Sequence, residues 1–441
     1  MNKPTIVHKF GGSCLRDTAD LEQIANIIRT FPGRPAIVVS ALWGTTDRLM
    51  RAANEPKYAT RLVEDLRRQH IRFAPNIENS ELGKMFDTVL TGIEISLTEI
   101  SKKSDDKSHI NTLLAAGERL SALVVSYYLR CNGIDAHPVG SEDIGLHLDG
   151  IGNAQSVDIE HSKKYLDYNS LNGTPVITGW FGEGKDGNIA LLGRGGSDHT
   201  ATAIARLLDV EKVILWKDIE GVLAINPRWG INSNPISYLG YGEARELTRM
   251  DAPIIHSSTM EPIQEVGIPL EIRHLYTNQN ENAPTTIGPD IVHQNRIKAI
   301  GCLRSVSSIE IETDKLPDSS KSLGELLIEL NRNDIICWSL NYLPGKITIV
   351  ISSNDYQNSK KVLLSRFKSI KVKNVTALIS LIGSLEIERI EKSINPNIFQ
   401  RLKLSILSKT EHSIQLLCDS EDIKLVLNEL SELVDAKQMK L

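Results

Sequence analysis

The 441-residue chain has no apolar stretch near the roughly 20 residues that a membrane helix needs, and Met1 to Ile6 lack the apolar core of an export signal. The cytoplasm is therefore the expected location. Long runs of one charge are also missing. Lys+Arg 50 against Asp+Glu 55 leave a net charge of −5, so nothing recommends nucleic acid or an anionic membrane as a partner. Small ligands are the expected guests. The five cysteines, Cys14, Cys131, Cys302, Cys337 and Cys418, are scattered and odd in number, with no CxxC spacing, which argues for reduced thiols over a disulfide frame or a zinc site. His137 and His147 have no metal-ligand companions at useful spacing, and no metal site built by the protein is expected.

Hydrophobic content of 41% and charged content of 24% are ordinary for a globular protein, and 441 residues exceed what one core organises, so two or more domains are expected. The most informative stretch runs from Thr174 to Asn226. Thr174-Pro-Val-Ile-Thr178 reads as a strand, as does Ile189-Ala-Leu-Leu192, and Gly193-Arg-Gly-Gly-Ser-Asp198 follows. Ala201, Ile204, Ala205 and Leu208 then recur at helical spacing, which predicts a helix with Ser197 or Asp198 at its N-cap or in its first turn. Gly195-Gly196 before a helix start is either a tight turn or a place where backbone N–H groups meet an anion such as phosphate.

Other segments bring polar groups to strand ends, where ligands collect in an open α/β sheet. Thr5-Ile-Val-His-Lys-Phe10 is a predicted buried strand that carries Lys9 toward Gly11, Gly12 and Ser13. Lys9 is either a solvated edge lysine or a cation for a phosphoryl group. A helix is predicted over Thr18 to Arg29, then a strand Pro35–Val39 that ends at Ser40. Residues 51–110 are helical in pattern. In Leu113 to Val125, Glu118 and Arg119 interrupt an apolar helix, as a structural ion pair or as ligand-binding groups. Lys212-Val-Ile-Leu-Trp216 is a strand leading into Lys217 and Asp218.

Read together, Phe10-Gly-Gly-Ser13, Val38-Val-Ser-Ala41, Gly117-Glu-Arg119, Gly193-Arg-Gly-Gly-Ser-Asp198 and Trp216-Lys-Asp-Ile-Glu-Gly221 occur in one order that resembles the aspartokinases of the amino-acid-kinase superfamily. The resemblance implies an α/β fold, a three-layer amino-acid-kinase domain with a mostly parallel sheet between helices (residues 1–295). Two ferredoxin-like ACT domains (300–370 and 371–441) would follow. It implies Lys9 and Asp198 as catalytic residues. Ser40, Glu118, Arg194, Gly195, Gly196 and Ser197 would bind L-aspartate, with Glu118 on the amino group and Arg194 or Arg119 near the carboxylate. Lys9, Gly11, Gly12, Ser13, Trp216, Lys217, Asp218, Asn226 and Arg228 would bind ATP with Mg²⁺.

Several positions depart from the family pattern. Asp47 stands for the asparagine of S-A-x-x-x-x-T-N, Lys217 for the threonine of T-D-V-D-G-V, Asn226 for the aspartate of T-D-P-R, and Pro253 for the lysine of G-A-K-V-L-H-P. One phosphate-facing cation is thereby lost, and Lys217 is expected to replace it from across the pocket.

Beyond residue 300 the pattern changes to short strands and helices. Strands are predicted at Ser307–Glu312, Ile335–Leu340, Lys346–Ile351, Val375–Ile382 and His412–Cys418, and helices at Ser322–Asn331, Asn358–Phe367 and Asp422–Val434. Two β-α-β-β-α-β units are expected. By the resemblance they bind a lysine or threonine effector, at Leu316 to Ser322, or serve only to form a homodimer. Three functional readings stand: an aspartate kinase, a kinase-fold ligand sensor with impaired catalysis, or a sister kinase for another amino-acid carboxylate.

Overall fold

The computed structural model describes residues 4–55, 58–103, 106–250, 255–276, 284–291, 296–312, 319–343, 345–357, 360, 370–383 and 404–434. The chain packs as two compact units, Met1–Val222 with Ile255–Pro289, and Leu223–Ile254 with Asp290–Leu441. Residues 223–254 belong to the second unit although they fall inside segment 1–295.

The elements up to the end of the first unit are, in chain order, β1 (Ile6–Phe10), α1 (Thr18–Thr30), β2 (Pro35–Val39), α2 (Thr45–Asn54), α3 (Leu62–Phe73), α4 (Gly83–Lys102), α5 (Lys107–Cys131), β3 (Ala136–Val139), β4 (Asn153–Ala154), α6 (Ile159–Tyr165), β5 (Thr174–Thr178), β6 (Phe181–Glu183), β7 (Ile189–Leu192), α7 (Gly196–Leu208), β8 (Lys212–Lys217), β9 (Tyr238–Gly240), α8 (Tyr241–Arg249), α9 (Glu261–Gln264), β10 (Leu270–His274) and β11 (Thr285–Gly288). Of these, β9 and α8 lie in the second unit.

The main sheet of the first unit runs β3-β5-β2-β1-β8-β10-β11. All neighbours are parallel except β11, which is antiparallel to β10. Such a sheet is covered on both faces, which is why β1 and β2 read as unbroken apolar runs. The side chains alternate all the same. Ile6, His8 and Phe10 take one face of β1, where Phe10 packs with α1 and α5 residues such as Leu21, Ile24 and Leu120. Val7 and Lys9 take the other, on the side of α7.

Helix α1 begins at a capping box. The Asp17 side chain accepts the N–H groups of Ala19 and Asp20, and Asp20 Oδ2 accepts the Asp17 N–H in return. Leu21, Ile24, Ala25 and Ile28 then face the core at the spacing read from the sequence. Glu118 and Arg119 lie well inside the 25-residue α5, whose start is capped by Asp106.

The second unit continues with β12 (Ala299–Glu312), α10 (Ser319–Arg332), β13 (Cys337–Leu343), β14 (Lys346–Ser352), β15 (Ile370–Ile382), β16 (Ser405–Lys409), β17 (Ser413–Asp419) and α11 (Ile423–Ser431). The expected helix Asn358–Phe367 apart from Lys360, and residues 316–318 of the expected effector loop, lie outside the described residues, whereas 319–322 form the start of α10 rather than a loop.

Six described strands form one antiparallel sheet in the order β13-β14-β12-β15-β17-β16. Two complete ferredoxin-like units would use eight strands. Among the described residues six serve, because β12 and β15 are long and each runs through both halves. Ile309 and Ile311 of β12 join a core with Leu326, Leu330, Ile347 and Ile349, whereas Ile300 and Cys302 of the same strand join Ile379, Leu416, Val426 and Leu427. The ladder shifts register on either side of Val306, next to Ser305 in a left-handed conformation (φ 55°). The bend brings β13 onto β16 and β17: Ser339 Oγ donates to Gln415 Oε1 (2.6 Å) and Asn341 Nδ2 to Leu407 O (2.8 Å). Edge strands left open would invite pairing with other chains.

Asp17→Ala removes the α1 cap and should destabilise the first unit by about 1 kcal/mol. A urea titration of this variant that superimposes on the wild-type curve would show that the cap carries no weight.

Candidate active site

Three strand exits and one helix start converge on the α7 side of the sheet. Lys9, the next-to-last residue of β1, and Lys217, the last residue of β8, point to the same face because the strands are parallel and in register. Between them stands Asp198 in the first turn of α7, with Lys9 Nζ 2.7 Å from Oδ1 and Lys217 Nζ donating to Oδ2 at 2.8 Å. Each carboxylate oxygen thus faces one ammonium group. Burial by itself would raise the Asp198 pKa. The ammonium groups of Lys217 and Lys9 outweigh it and hold the carboxyl well below the usual carboxylate range.

Beside Lys9 and Asp198 lies a cavity of about 580 Å³, whose lining does not include Lys217. Its wall includes Ser40 and Glu118 on one side and the turn Gly193–Ser197 on the other, with Lys9, Gly12 and Asp198 also contributing. Gly195 takes a left-handed conformation (φ 79°) that ends the turn and starts α7. A Cβ on it would lie 2.8 Å from His256 Cβ, so the position admits glycine on two counts. The positive end of the α7 dipole thus faces the cavity. Ser40 Oγ donates to Ser197 Oγ at 3.0 Å, joining the β2 exit to α7.

Glu118 reaches this cavity from mid-α5 and is 3% exposed. Its Oε1 accepts the Ala41 N–H (3.1 Å), while Oε2 is buried with no hydrogen-bond partner. Burial pushes its pKa up to about 8, against which the Ala41 N–H and the Lys9 charge pull only in part. The protein keeps a buried acid whose second oxygen awaits a donor or cation.

The remaining expected residues divide. Arg194 lines the cavity, whereas Arg119 pairs with Glu142 and lies over the Phe181 ring. Gly11 sits against Lys9 Nζ, which a Cβ there would approach to 3.3 Å. Ser13 hydrogen-bonds Asp218, which also pairs with Arg16 at 2.7 Å, half exposed. Asn226 and Arg228 belong to the second unit, where Asn226 Oδ1 accepts the Arg228 N–H. Asp47 is exposed and lines the cavity from the first turn of α2, where the helix dipole favours a negative charge. Pro253 lies outside the described residues.

The Trp216 side chain is a correction to the expected nucleotide set. It is 2% exposed, stacks on Phe10 at 6.0 Å, and its Nε1–H donates to Nδ1 of His8, whose pKa burial lowers to about 3. Its register partner in β1 is Phe10, so it faces the core by the same alternation that turns Lys217 toward Asp198.

Sequence reasoning missed Trp43, Thr46 and Trp180, which also line the cavity. Thr46 occupies the threonine of the S-A-x-x-x-x-T-N pattern and was legible. Trp180 was not, because its distinguishing feature is a left-handed backbone (φ 76°), a conformation costing of order 1–3 kcal/mol for such a residue.

Residues 4–274 match the profile of the Amino acid kinase family, and aspartokinase 3, chloroplastic, of Arabidopsis thaliana is 31% identical over 417 residues, spanning 87% of this chain and 72% of that protein. The chain belongs to the amino acid kinase family, among the aspartokinases. Aspartokinase 3 of Bacillus subtilis (strain 168) is 29% identical over 301 residues, 65% of this chain and 63% of that protein. In fold, this aspartokinase-type chain is similar to the crystal structure of E. coli aspartokinase III in complex with aspartate and ADP (TM-score 0.76, 21% identity, 97% of this chain and 99% of that one). The aspartate kinase of Clostridium acetobutylicum is similar too (TM-score 0.79, 20% identity, 98% and 100%). These likenesses give the fold class as a three-layer amino-acid-kinase domain followed by ferredoxin-like ACT halves.

The Glu118 environment predicts a pH effect on stability. An unfolded glutamate loses its proton near pH 4.3 and folded Glu118 near pH 8, so the folded chain holds the extra proton between those values. Stability from this group is full below the lower value and is lost as pH rises toward about 8. Glu118→Gln does not titrate. Its melting temperature should match wild type near pH 5 and exceed it increasingly up to about pH 8; a constant difference across that range would show that Glu118 is ionised throughout.

Proposed function

We propose that the protein is an aspartate kinase, which moves the γ-phosphoryl group of ATP to the side-chain carboxylate of L-aspartate and gives 4-phospho-L-aspartate. The observation that carries this reading is the pair of lysines held on one buried aspartate in the first turn of α7, with Lys9 and Asp198 lining the same cavity as a buried glutamate whose Oε2 has no hydrogen-bond partner. A carboxylate oxygen is already a nucleophile and needs no general base. Catalysis then consists of aligning two anions and offsetting their repulsion.

In this reading Lys9 and Lys217 turn toward the transferring phosphoryl group, Asp198 keeps both ammonium groups in place, and the α7 N-terminus with Gly195, Gly196 and Ser197 receives negative charge. Glu118 takes the substrate ammonium on its free Oε2, and Arg194 takes the α-carboxylate, which its planar fork matches. Ser40 positions Ser197. Gly11, Gly12, Ser13 and Asp218 complete the nucleotide side within the first unit.

ATP use is supported by the E. coli relative solved with aspartate and ADP. Among the described residues no group of three histidine, cysteine or acidic side chains is placed to hold a metal. Both Asp198 oxygens already face ammonium groups. Magnesium would come with the nucleotide and supply further charge neutralisation.

The E. coli enzyme has also been solved with lysine and aspartate, which supports an amino-acid effector, lysine or threonine, on the second unit here. No described helix is long and apolar enough to cross a membrane. A cytoplasmic homodimer with modules at 300–370 and 371–441 is part of the same proposal.

An ADP-release assay over L-aspartate, L-glutamate and N-acylated acceptors, with and without lysine and threonine, tests it. Turnover with L-aspartate is expected, and Lys9→Ala should lower kcat by about 100-fold or more. Near wild-type turnover in that variant removes Lys9 from the mechanism, while nucleotide binding without any turnover would favour the ligand-sensing reading.

Lys217→Thr restores the family residue and should raise the KM for ATP and lower kcat. If both stay at their wild-type values, Lys217 does not replace the missing cation.

A further inference from the structure

Trp180 is the one non-glycine residue in left-handed backbone among those lining the cavity, and it is tied from both ends of the Gly193–Ser197 turn. Before the turn, Leu192 O accepts the indole Nε1–H at 2.7 Å, and the Leu192 N–H donates to Trp180 O at 2.8 Å. After it, the Trp180 N–H donates to Thr200 Oγ1 (3.1 Å), which itself donates to Gly196 O (2.9 Å). The packing leaves no slack. A Cβ on Gly196 would lie 2.6 Å from Trp180 Cδ1, and one on Gly179 would lie 2.7 Å from Ser197 Cβ. The Gly179 N–H donates to Val39 O at 2.9 Å, so the clamp extends to the β2 exit and Ser40.

We propose that Trp180 sets the length of acceptor that the site takes, by clamping the Gly193–Ser197 turn, and with it Arg194, against the end of β5. The inference rests on the aspartate kinase reading above. With the acceptor's ammonium on Glu118 and its α-carboxylate on Arg194, those two anchors decide how far the reacting carboxylate extends toward Lys9 and Asp198. A four-carbon diacid and its five-carbon homologue differ by one methylene, and only a wall that does not yield separates them. The hydrogen bonds spent on both sides of Trp180 supply that rigidity. Its role is to position, since its two polar hydrogens are engaged within the protein.

The test is the ratio of kcat/KM for L-aspartate to that for L-glutamate in wild type, Trp180→Phe and Trp180→Ala. The alanine variant should lower the ratio about tenfold or more, within the range one methylene commands in a shaped pocket. The change should appear mainly as a higher KM for aspartate, with the KM for ATP within about twofold of wild type. Phenylalanine keeps a ring but not the bond to Leu192 O and should fall between. A loss that affects both acceptors equally, leaving the ratio unchanged, is what a purely structural tryptophan gives and would overturn the proposal. If the alanine variant does not melt cooperatively, the phenylalanine ratio decides by the same criterion. Failure of the functional reading is seen separately, in a wild-type chain that phosphorylates no aspartate.

Discussion

One carboxylate shared by two ammonium groups organises the first unit. Burying a single charge costs several kcal/mol, and burying two lysines near each other would cost more without a counter-ion. Asp198 allows both and leaves the group one positive charge in excess. That excess is what a polyanionic ligand can use. The geometry needs β1 and β8 to be neighbours and parallel, and it needs α7 to begin where those strands end. The glycines at 195 and 196 permit that beginning: one takes the left-handed turn, and the other lets Trp180 and Leu192 close in.

Much of the fold and part of the site were legible in the sequence, for identifiable reasons. The buried parallel strands read as apolar runs, so Lys9 was conspicuous as the one charge in β1, and Gly195-Gly196 marked a helix start. Glu118 was conspicuous for the same reason as Lys9, an ionisable group inside an apolar pattern. The helix that carries it extends back to Lys107, through residues whose pattern blends into the preceding helical segment. Trp216 was assigned by its neighbourhood and not by the alternation of β8, which sends it to the core and its successor to Asp198. Trp180 gives no local signal at all, since a left-handed tryptophan is imposed by its surroundings.

The departures from the family pattern differ in weight once they are placed. Asp47 lines the cavity but sits where a helix N-terminus and solvent both soften its charge. Lys217 has taken up a position that a threonine could not fill, on the same carboxylate as Lys9.

The sharing of β12 and β15 was invisible to a reading of local periodicity, because each long strand looks the same whether it serves one layer or two. Along the chain, the inner half occupies residues 306–373, and the outer half is completed by 299–303 and by the strands from 376 onward. No single cut in the polypeptide frees either half with all its own strands. The two halves are thus obliged to fold and to move as partners, and a shift imposed on one end of the long ladder is felt at the other without any intervening linker.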